Sequence, residues 1–311
     1  MEIYEQLGCS SMWTCAPYQQ PEGRPGFGEH VVGSESNAVG FVNSVLGART
    51  NKYGDLLDVA GALVGRVPLA RLHTDEGRRA THVFDVPGLD ASVRSDPSTP
   101  HLLGILLGRM VGKGIGVIDG LDAATEDDLK AIAAAAASSG SVGLFHVVGI
   151  TPEAPTLQAA LQNRPAENHT TITESDLADA RTLLTSASAD EPLRAICVGT
   201  PHFSVAECLE LHDLLDDRRV ATNITFIATT SRAVANELEL RGLAESFRAS
   251  GVELVLDTCS YFLPRPTGVD GLTLTNSAKW AYYAQGALDV PVGFTSLERC
   301  VESAIAGEWL R

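Results

Sequence analysis

The sequence predicts an α/β protein of mainly parallel sheets with helices on both faces, arranged in two subregions. Two observations carry this. Short apolar runs such as "IGVIDG", "TNITFIATT" and "VELVLDT" read as strands buried on both sides. These runs alternate with longer segments of helical periodicity, the pattern of strands joined by crossover helices. At 311 residues, with 44% hydrophobic and 20% charged side chains, the composition is that of a globular chain with a large core.

The opening "MEIYEQLG" has the form of a helix tail with Ile3, Tyr4 and Leu7 on one side, with nothing before it for that side to meet. "PYQQPEGRPGFGEH" is too rich in Pro and Gly for a regular element. "SESNAVGFVNSVLGART" predicts a helix starting at Ser34 or Ser36, with Val39, Val42 and Leu46 on one face. "LLDVAGALVGRVP" repeats the scheme, with Asp58 early and Pro68 as its stop. "ATHVFDVPG" is a strand, "TPHLLGILLGRMVGKG" a helix and "IGVIDG" a strand. "TEDDLKAIAAAAASSG" is a helix with Thr125 as cap, acids in its first turn and Gly140 as its end. "VGLFHVVGI" closes a first region over 1–150. Residues 151–193 predict a polar helical connection, and 194–311 a regular α/β subdomain. There "RAICVGTP", "TNITFIATT", "VELVLDT", "GLTLTNSA" and "DVPVGF" are the strands. The helices between them include "SRAVANELELRGLAESFRASG" as one element and the turn "KWAYYAQG".

With 23 basic against 39 acidic side chains the net charge is −16, and no basic patch appears, so nucleic acid is not an expected partner. No basic stretch leads into an apolar run at the start, and no stretch reads as a membrane span. A cytoplasmic setting is expected, in which the six cysteines stay reduced. GxGxxG, Walker, HExxH and GxSxG motifs are all missing, which counts against nicotinamide enzymes, ATPases and serine hydrolases.

Chemistry-bearing residues gather at expected strand ends, where α/β sheets place their sites. Cys15 precedes the Pro-rich loop, Cys197 lies near the end of one strand, and Cys259 follows another. Three thiolates from such loops suit an iron–sulfur cluster with one iron partly open. Inert buried thiols are the competing reading, and the expected role of Cys208 and Cys300. Cys9 stays ambiguous. Glu29 and His30 can act in acid–base work or simply satisfy local hydrogen bonds. Ser34, Glu35, Ser36 and Asn37 crowd a helix start, where N–H groups can receive a carboxylate, or where one serine merely caps. Asn43 and Arg49 follow. Arg49 can clamp a carboxylate or pair internally with Asp55 or Asp58. Asn276, Ser277 and Lys279 sit at a strand–helix junction, and Gly199, Pro201 and His202 shape the junction after Cys197.

"WTCAPYQ", "FGEHVVGSESNAVGFVNSVLGARTNKYGD", "GALVGRVP", "CVGTPH", "DTC" and "TNSAKWAYYAQG" together resemble the aconitase X family, over almost the whole chain. The resemblance implies an aconitase-like fold and a hydro-lyase acting on a small hydroxy acid. It implies an iron–sulfur cluster, of a two-iron or a four-iron/three-iron type, held by Cys15, Cys197 and Cys259. It further implies a small swivelling subunit or domain that carries a catalytic serine. Family members dehydrate either cis-3-hydroxy-L-proline to Δ1-pyrroline-2-carboxylate or 5-phosphomevalonate. "WTCAPYQ" and "ARTNKYGD" are similar to the first type, whereas Val32 and Gly33 before "SESN" depart from the usual pattern. Family large subunits also begin well upstream of this start, which leaves a truncated, non-catalytic remnant as the rival reading. The resulting candidate catalytic set is His30, Ser34, Glu35, Ser36 and Lys279. Asn37, Asn43, Arg49, Thr50, His202, Asn276 and Ser277 are the candidates for holding substrate.

Overall fold

The computed structural model describes every residue except Met1, Pro87, Asp122, Ala189 and Leu263. Met1 and Pro87 fall inside two of the expected elements, and those positions lie outside the described residues. The described strands form two parallel sheets. In the first, β1 (His82–Asp85), β2 (Gly116–Asp119) and β3 (Phe145–Val147) step outward in one direction. β4 (Asn168–Thr171) then returns to the free side of β1, giving the order β3-β2-β1-β4. Buried Phe84 stands opposite buried Ile118 on one side and half-buried Thr170 on the other. The 151–193 stretch is therefore not a helical connection throughout, because it supplies the edge strand β4. Its helix Glu174–Leu183, entered through a Thr173–Asp176 capping box, packs on the helix Thr99–Met110.

The second sheet has the order β7-β6-β5-β8-β9. Its strands are β5 (Leu193–Phe203), β6 (Thr225–Thr230), β7 (Val252–Leu256), β8 (Leu272–Thr275) and β9 (Val292–Phe294). The chain moves from β5 to β7 on one side, then starts again at β8 on the other. The strand order therefore reverses between β5 and β8, the place where an open sheet leaves a crevice at its carboxyl edge. Gly199 sits in β5 at φ +85°, and a Cβ there would lie 2.2 Å from the Thr229 carbonyl oxygen, so only glycine fits. The Thr200–Pro201 peptide that follows is cis, and the strand then delivers His202 to the crevice.

One buried cluster runs from Tyr18 and Phe41 through Phe84 and Ile132 to Trp280 and Phe294, so both halves share a core. The segment expected as one helix over 231–251 is two, Arg232–Leu240 and Ala244–Ser250, with Gly242 at φ +75° between them. The 125–140 helix does carry its Thr125 capping box, but its left-handed cap is Ser141, one residue beyond the expected Gly140. The helix Glu2–Gln6 leaves Ile3, Tyr4 and Leu7 exposed, as its sequence implied. No helix among the described residues is long and apolar enough to cross a membrane.

The helices Thr99–Met110 and Glu126–Gly140 touch backbone to backbone. A Cβ on Gly140 would fall 1.8 Å from the Gly108 carbonyl oxygen, so these helices can approach so closely only without side chains there. Gly140→Ala should therefore push the helices apart and cost about 1–3 kcal/mol, the usual range for overpacking. Urea unfolding of the variant measures this. An unchanged midpoint would mean that the two helices are not in this contact.

Candidate functional site

The crevice at the carboxyl edge of the second sheet collects three donors. Cys15 arrives from the N-terminal loop, His202 from the end of β5, and Cys259 from the turn after β7. One Cys15, His202 and Cys259 ligand atom apiece lie within 4.8 Å of one another. The His202 peptide N–H donates to Cys15 Sγ at 3.2 Å. Its ring is fixed at both nitrogens: Nε2 lies 2.9 Å from the Thr258 carbonyl oxygen and Nδ1 lies 3.0 Å from Thr14 Oγ1. A carbonyl only accepts, so Nε2 carries the proton and Nδ1 is left as acceptor for the Thr14 hydroxyl. A ring nitrogen held on a backbone carbonyl is also how metal-binding imidazoles are oriented. Thr14 Oγ1 in turn accepts from the Ala16 N–H, which ties the Cys15 loop to the same ring.

The Cys15 and Cys259 thiols are hydrogen-bonded to each other. A hydrogen bond from Cys259 is the largest influence on Cys15, and burial works against it. The charge of Lys279 and the His202 peptide N–H add to the bond and bring Cys15 down to about 6. The same bond, with burial, pushes Cys259 well up. Two thiols and an imidazole at this spacing are a soft donor set of the kind that binds iron or zinc. The residues present thus fit a metal centre.

Beside them stands a buried ion pair. Lys279 is 2% exposed, and its Nζ donates to Glu35 Oε1 at 2.8 Å. Burial opposes both charges, but their mutual attraction outweighs it, raising Lys279 and lowering Glu35. Glu35 is the N-cap of the helix Ser36–Ser44, with Asn37 N–H donating to its carboxylate at 3.3 Å. The cap is thus neither of the two serines. Ser34 instead donates to Asp58 at 2.7 Å, and Ser36 is the first helical residue. Ser34, Glu35, Thr50 and Asp58 line one cavity of about 600 Å³.

Several other candidates have structural work. Asn37 is fully buried, accepts from Tyr18 OH at 2.7 Å and donates to the Cys15 carbonyl, so it braces the cysteine loop. Asn43 spends its amide on the Thr50 and Gly143 carbonyls and on Arg78. Thr50 is buried with its N–H on Asn43. Arg49 does pair internally, but with Asp75 and the His73 carbonyl instead of Asp55 or Asp58. His30 shares a 2.9 Å contact with His73, whose other nitrogen meets Tyr53 OH. Ser277 caps the helix Ala278–Ala287 and donates to the Thr200 carbonyl. Asn276 faces a different cavity, of about 550 Å³, with its Oδ1 buried and unpartnered among the described residues.

Cys197 does not join Cys15 and Cys259. It lies within β5 opposite Ile227, fully buried, and burial pushes its thiol up to about 12 although Ser260 bonds to it. Cys208 and Cys300 are buried core thiols, and Cys9 is exposed. Two groups escaped the sequence reading: Thr14, which orients His202, and Lys130 with Asp127 and Glu207. Lys130 was legible as the single cation within an otherwise small, apolar helical face.

A doubly wound α/β chain with a thiolate–imidazole centre at its strand reversal defines the class. The chain belongs to the aconitase X family. Family models match it as the first domain over residues 1–76, the second over 80–182 and the third over 193–306. It is 39% identical over 308 residues to cis-3-hydroxy-L-proline dehydratase of Hypocrea jecorina, covering 98% of this chain and 51% of that protein. The protein of the same name in Pseudomonas aeruginosa is 40% identical, with 98% and 52% covered. The phosphomevalonate dehydratase large subunit of Thermococcus kodakarensis is 34% identical, with 91% and 70% covered. The chain superposes on the crystal structure of holo aconitase X from Thermococcus kodakaraensis with a TM-score of 0.86 and 31% identity, over 97% of this chain and 75% of that one. It spans about half the length of the two cis-3-hydroxy-L-proline dehydratases.

The Glu35 carboxyl is held below its ordinary 4.5, so the stability it contributes is present above that value and lost as pH falls through the folded one. Glu35→Gln should flatten this acid limb of the urea-midpoint profile. Lys279→Met should destabilise at neutral pH by about 1–3 kcal/mol, less than for a fully enclosed pair because the Glu35 side chain is 41% exposed. An acid limb unchanged in Glu35→Gln would mean that the pair does not form.

Proposed function

We propose that this chain is the catalytic region of an iron–sulfur-dependent hydro-lyase that removes water from a small hydroxy acid, most specifically cis-3-hydroxy-L-proline. The observation that carries the reading is the Cys15–His202–Cys259 donor set standing beside the Lys279–Glu35 pair. The higher identity to the two cis-3-hydroxy-L-proline dehydratases than to the phosphomevalonate dehydratase subunit supports the substrate class. Free cysteines suit a reducing, cytoplasmic setting.

Cys15 and Cys259 would hold the cluster, which when bound supplies Lewis acidity that makes a hydroxyl a better leaving group. Cys15 is ready for this role because its thiol already favours the thiolate near neutral pH. For the third position the geometry offers His202, whereas the family resemblance points to Cys197. Lys279 keeps Glu35 ionised, so the group that Glu35 presents to the 600 Å³ cavity is a carboxylate that can accept a hydrogen bond from substrate. Lys279 also places a fixed positive charge beside Cys15, where an acid substrate gains attraction in a dry site. The Ser34–Asp58 bond closes the cavity wall next to Glu35. A small swivelling subunit or domain would cover this opening and supply the serine base.

The test is anaerobic reconstitution of the chain with that small partner, iron and sulfide, assayed on both hydroxy acids. Turnover of cis-3-hydroxy-L-proline is expected, with iron content and activity both lost in Cys15→Ser and Cys259→Ser. Iron content of His202→Ala and Cys197→Ser then assigns the third position. A chain that takes up no iron, or one that keeps it after both cysteines are replaced, would refute the proposal.

A further inference from the structure

Lys130 is almost wholly enclosed, at 2% exposure, in the interface between the helix Glu126–Gly140 and the helix Val205–Leu215. Its ammonium meets Asp127 Oδ1 at 2.8 Å, the Glu207 carboxylate, and the His202 carbonyl oxygen at 3.4 Å. The same two carboxylates grip the next turn of chain. Asp127 accepts from Ser204 Oγ at 2.8 Å, and Glu207 accepts from the Ser204 N–H at 2.7 Å. His202, near the end of β5, is thus held directly by the buried cation, and Ser204, the cap of the next helix, through the two carboxylates. From the peptide on the other side of its Cα, His202 presents its N–H to Cys15, and its ring meets Thr14 and Thr258.

Stability alone does not call for this arrangement. A buried ion group can often be exchanged for apolar side chains of similar volume without loss, because the desolvation cost offsets the attraction. Directionality is what such a group adds: the ammonium fixes two carboxylates, and these fix one turn in one orientation. Asp127, Glu207 and Lys130 approach the turn from the two helices, and Gln19 Nε2 adds a 3.3 Å bond to the His202 carbonyl from the N-terminal loop.

We propose that Lys130, with Asp127 and Glu207, is a positioning residue for the metal centre, holding the His202 turn at the angle that aims its N–H at Cys15 and keeps its ring beside the two thiols. The inference rests on the metal-centre reading of Cys15 and Cys259. Its action is indirect, through the turn, and Lys130 itself touches neither thiol.

Two measurements separate this inference from the reading beneath it. The first is histidine-selective nitrogen NMR of the metal-free chain. Wild type should show His202 in the single Nε2–H form, Lys130→Met should average the two tautomers, and Lys130→Arg should restore the single form. The second is titration with cobalt(II), whose thiolate charge-transfer absorption reports the site. Affinity should fall by about 10–100-fold in Lys130→Met, as for other groups that orient ligands, and recover in Lys130→Arg. Ser204→Ala, which loosens the turn without touching the ammonium, should move both readouts in the same direction and serves where Lys130→Met does not fold. A folded Lys130→Met or Ser204→Ala with wild-type His202 signals and cobalt affinity would overturn the proposal. Wild type that binds no cobalt while its His202 tautomer still depends on Lys130 would instead remove the metal-centre reading and leave the positioning role standing.

Discussion

The site depends on one contact, the His202 peptide N–H on the Cys15 sulfur, between residues 187 apart in the chain. Cys15 comes from an irregular loop with little secondary structure of its own, so its position is borrowed. Thr14 and Asn37 fix the loop from one side, the first through the His202 ring and the second through the Cys15 carbonyl. Tyr18, stacked on Phe41 at 3.7 Å, holds Asn37 in turn. The sheet fixes the other side, since β5 ends at the strand reversal and carries His202 into the crevice. Loop and sheet meet at His202, and the thiol pair forms because they do.

Electrostatics follow from that meeting. In a chain of net charge −16, Lys130 and Lys279 are, with Arg78, fully enclosed cations, and both border the same turn or thiol. Each is matched with carboxylates that would otherwise repel a thiolate. Lys279 lies on the thiol side with Glu35, and Lys130 on the far side of the His202 turn with Asp127 and Glu207. The hydrogen bond from Cys259, with Lys279 adding to it, favours the Cys15 thiolate against the cost of burial.

Much of the fold was legible because short apolar strands and capped helices are local signals. The Thr125 box and the strand "IGVIDG" needed only their own neighbours to be read. β4 was missed because "NHTT" is polar and exposed at a sheet edge, where no hydrophobic pattern marks it. The long helix over 231–251 was read as one because Gly242 is tolerated within a helical pattern, and only the left-handed turn shows the break. In the site, Cys15 was visible as a thiol before a Pro-rich loop and Cys259 as one after an expected strand. Glu35 was visible as one of four polar residues at a helix start, but the choice of cap is a matter of backbone angle. The pairing of Arg49 with Asp75, and the grouping of His202 ahead of Cys197, depend on which way side chains face across a fold, and spacing does not encode that.

Iron K-edge X-ray absorption on the anaerobically reconstituted chain bears most directly on the metal centre. A first shell containing sulfur is expected, and it should lose thiolate scattering when Cys15 and Cys259 are replaced together by serine. A first shell of oxygen and nitrogen alone, or a sulfur shell indifferent to those two residues, would contradict it.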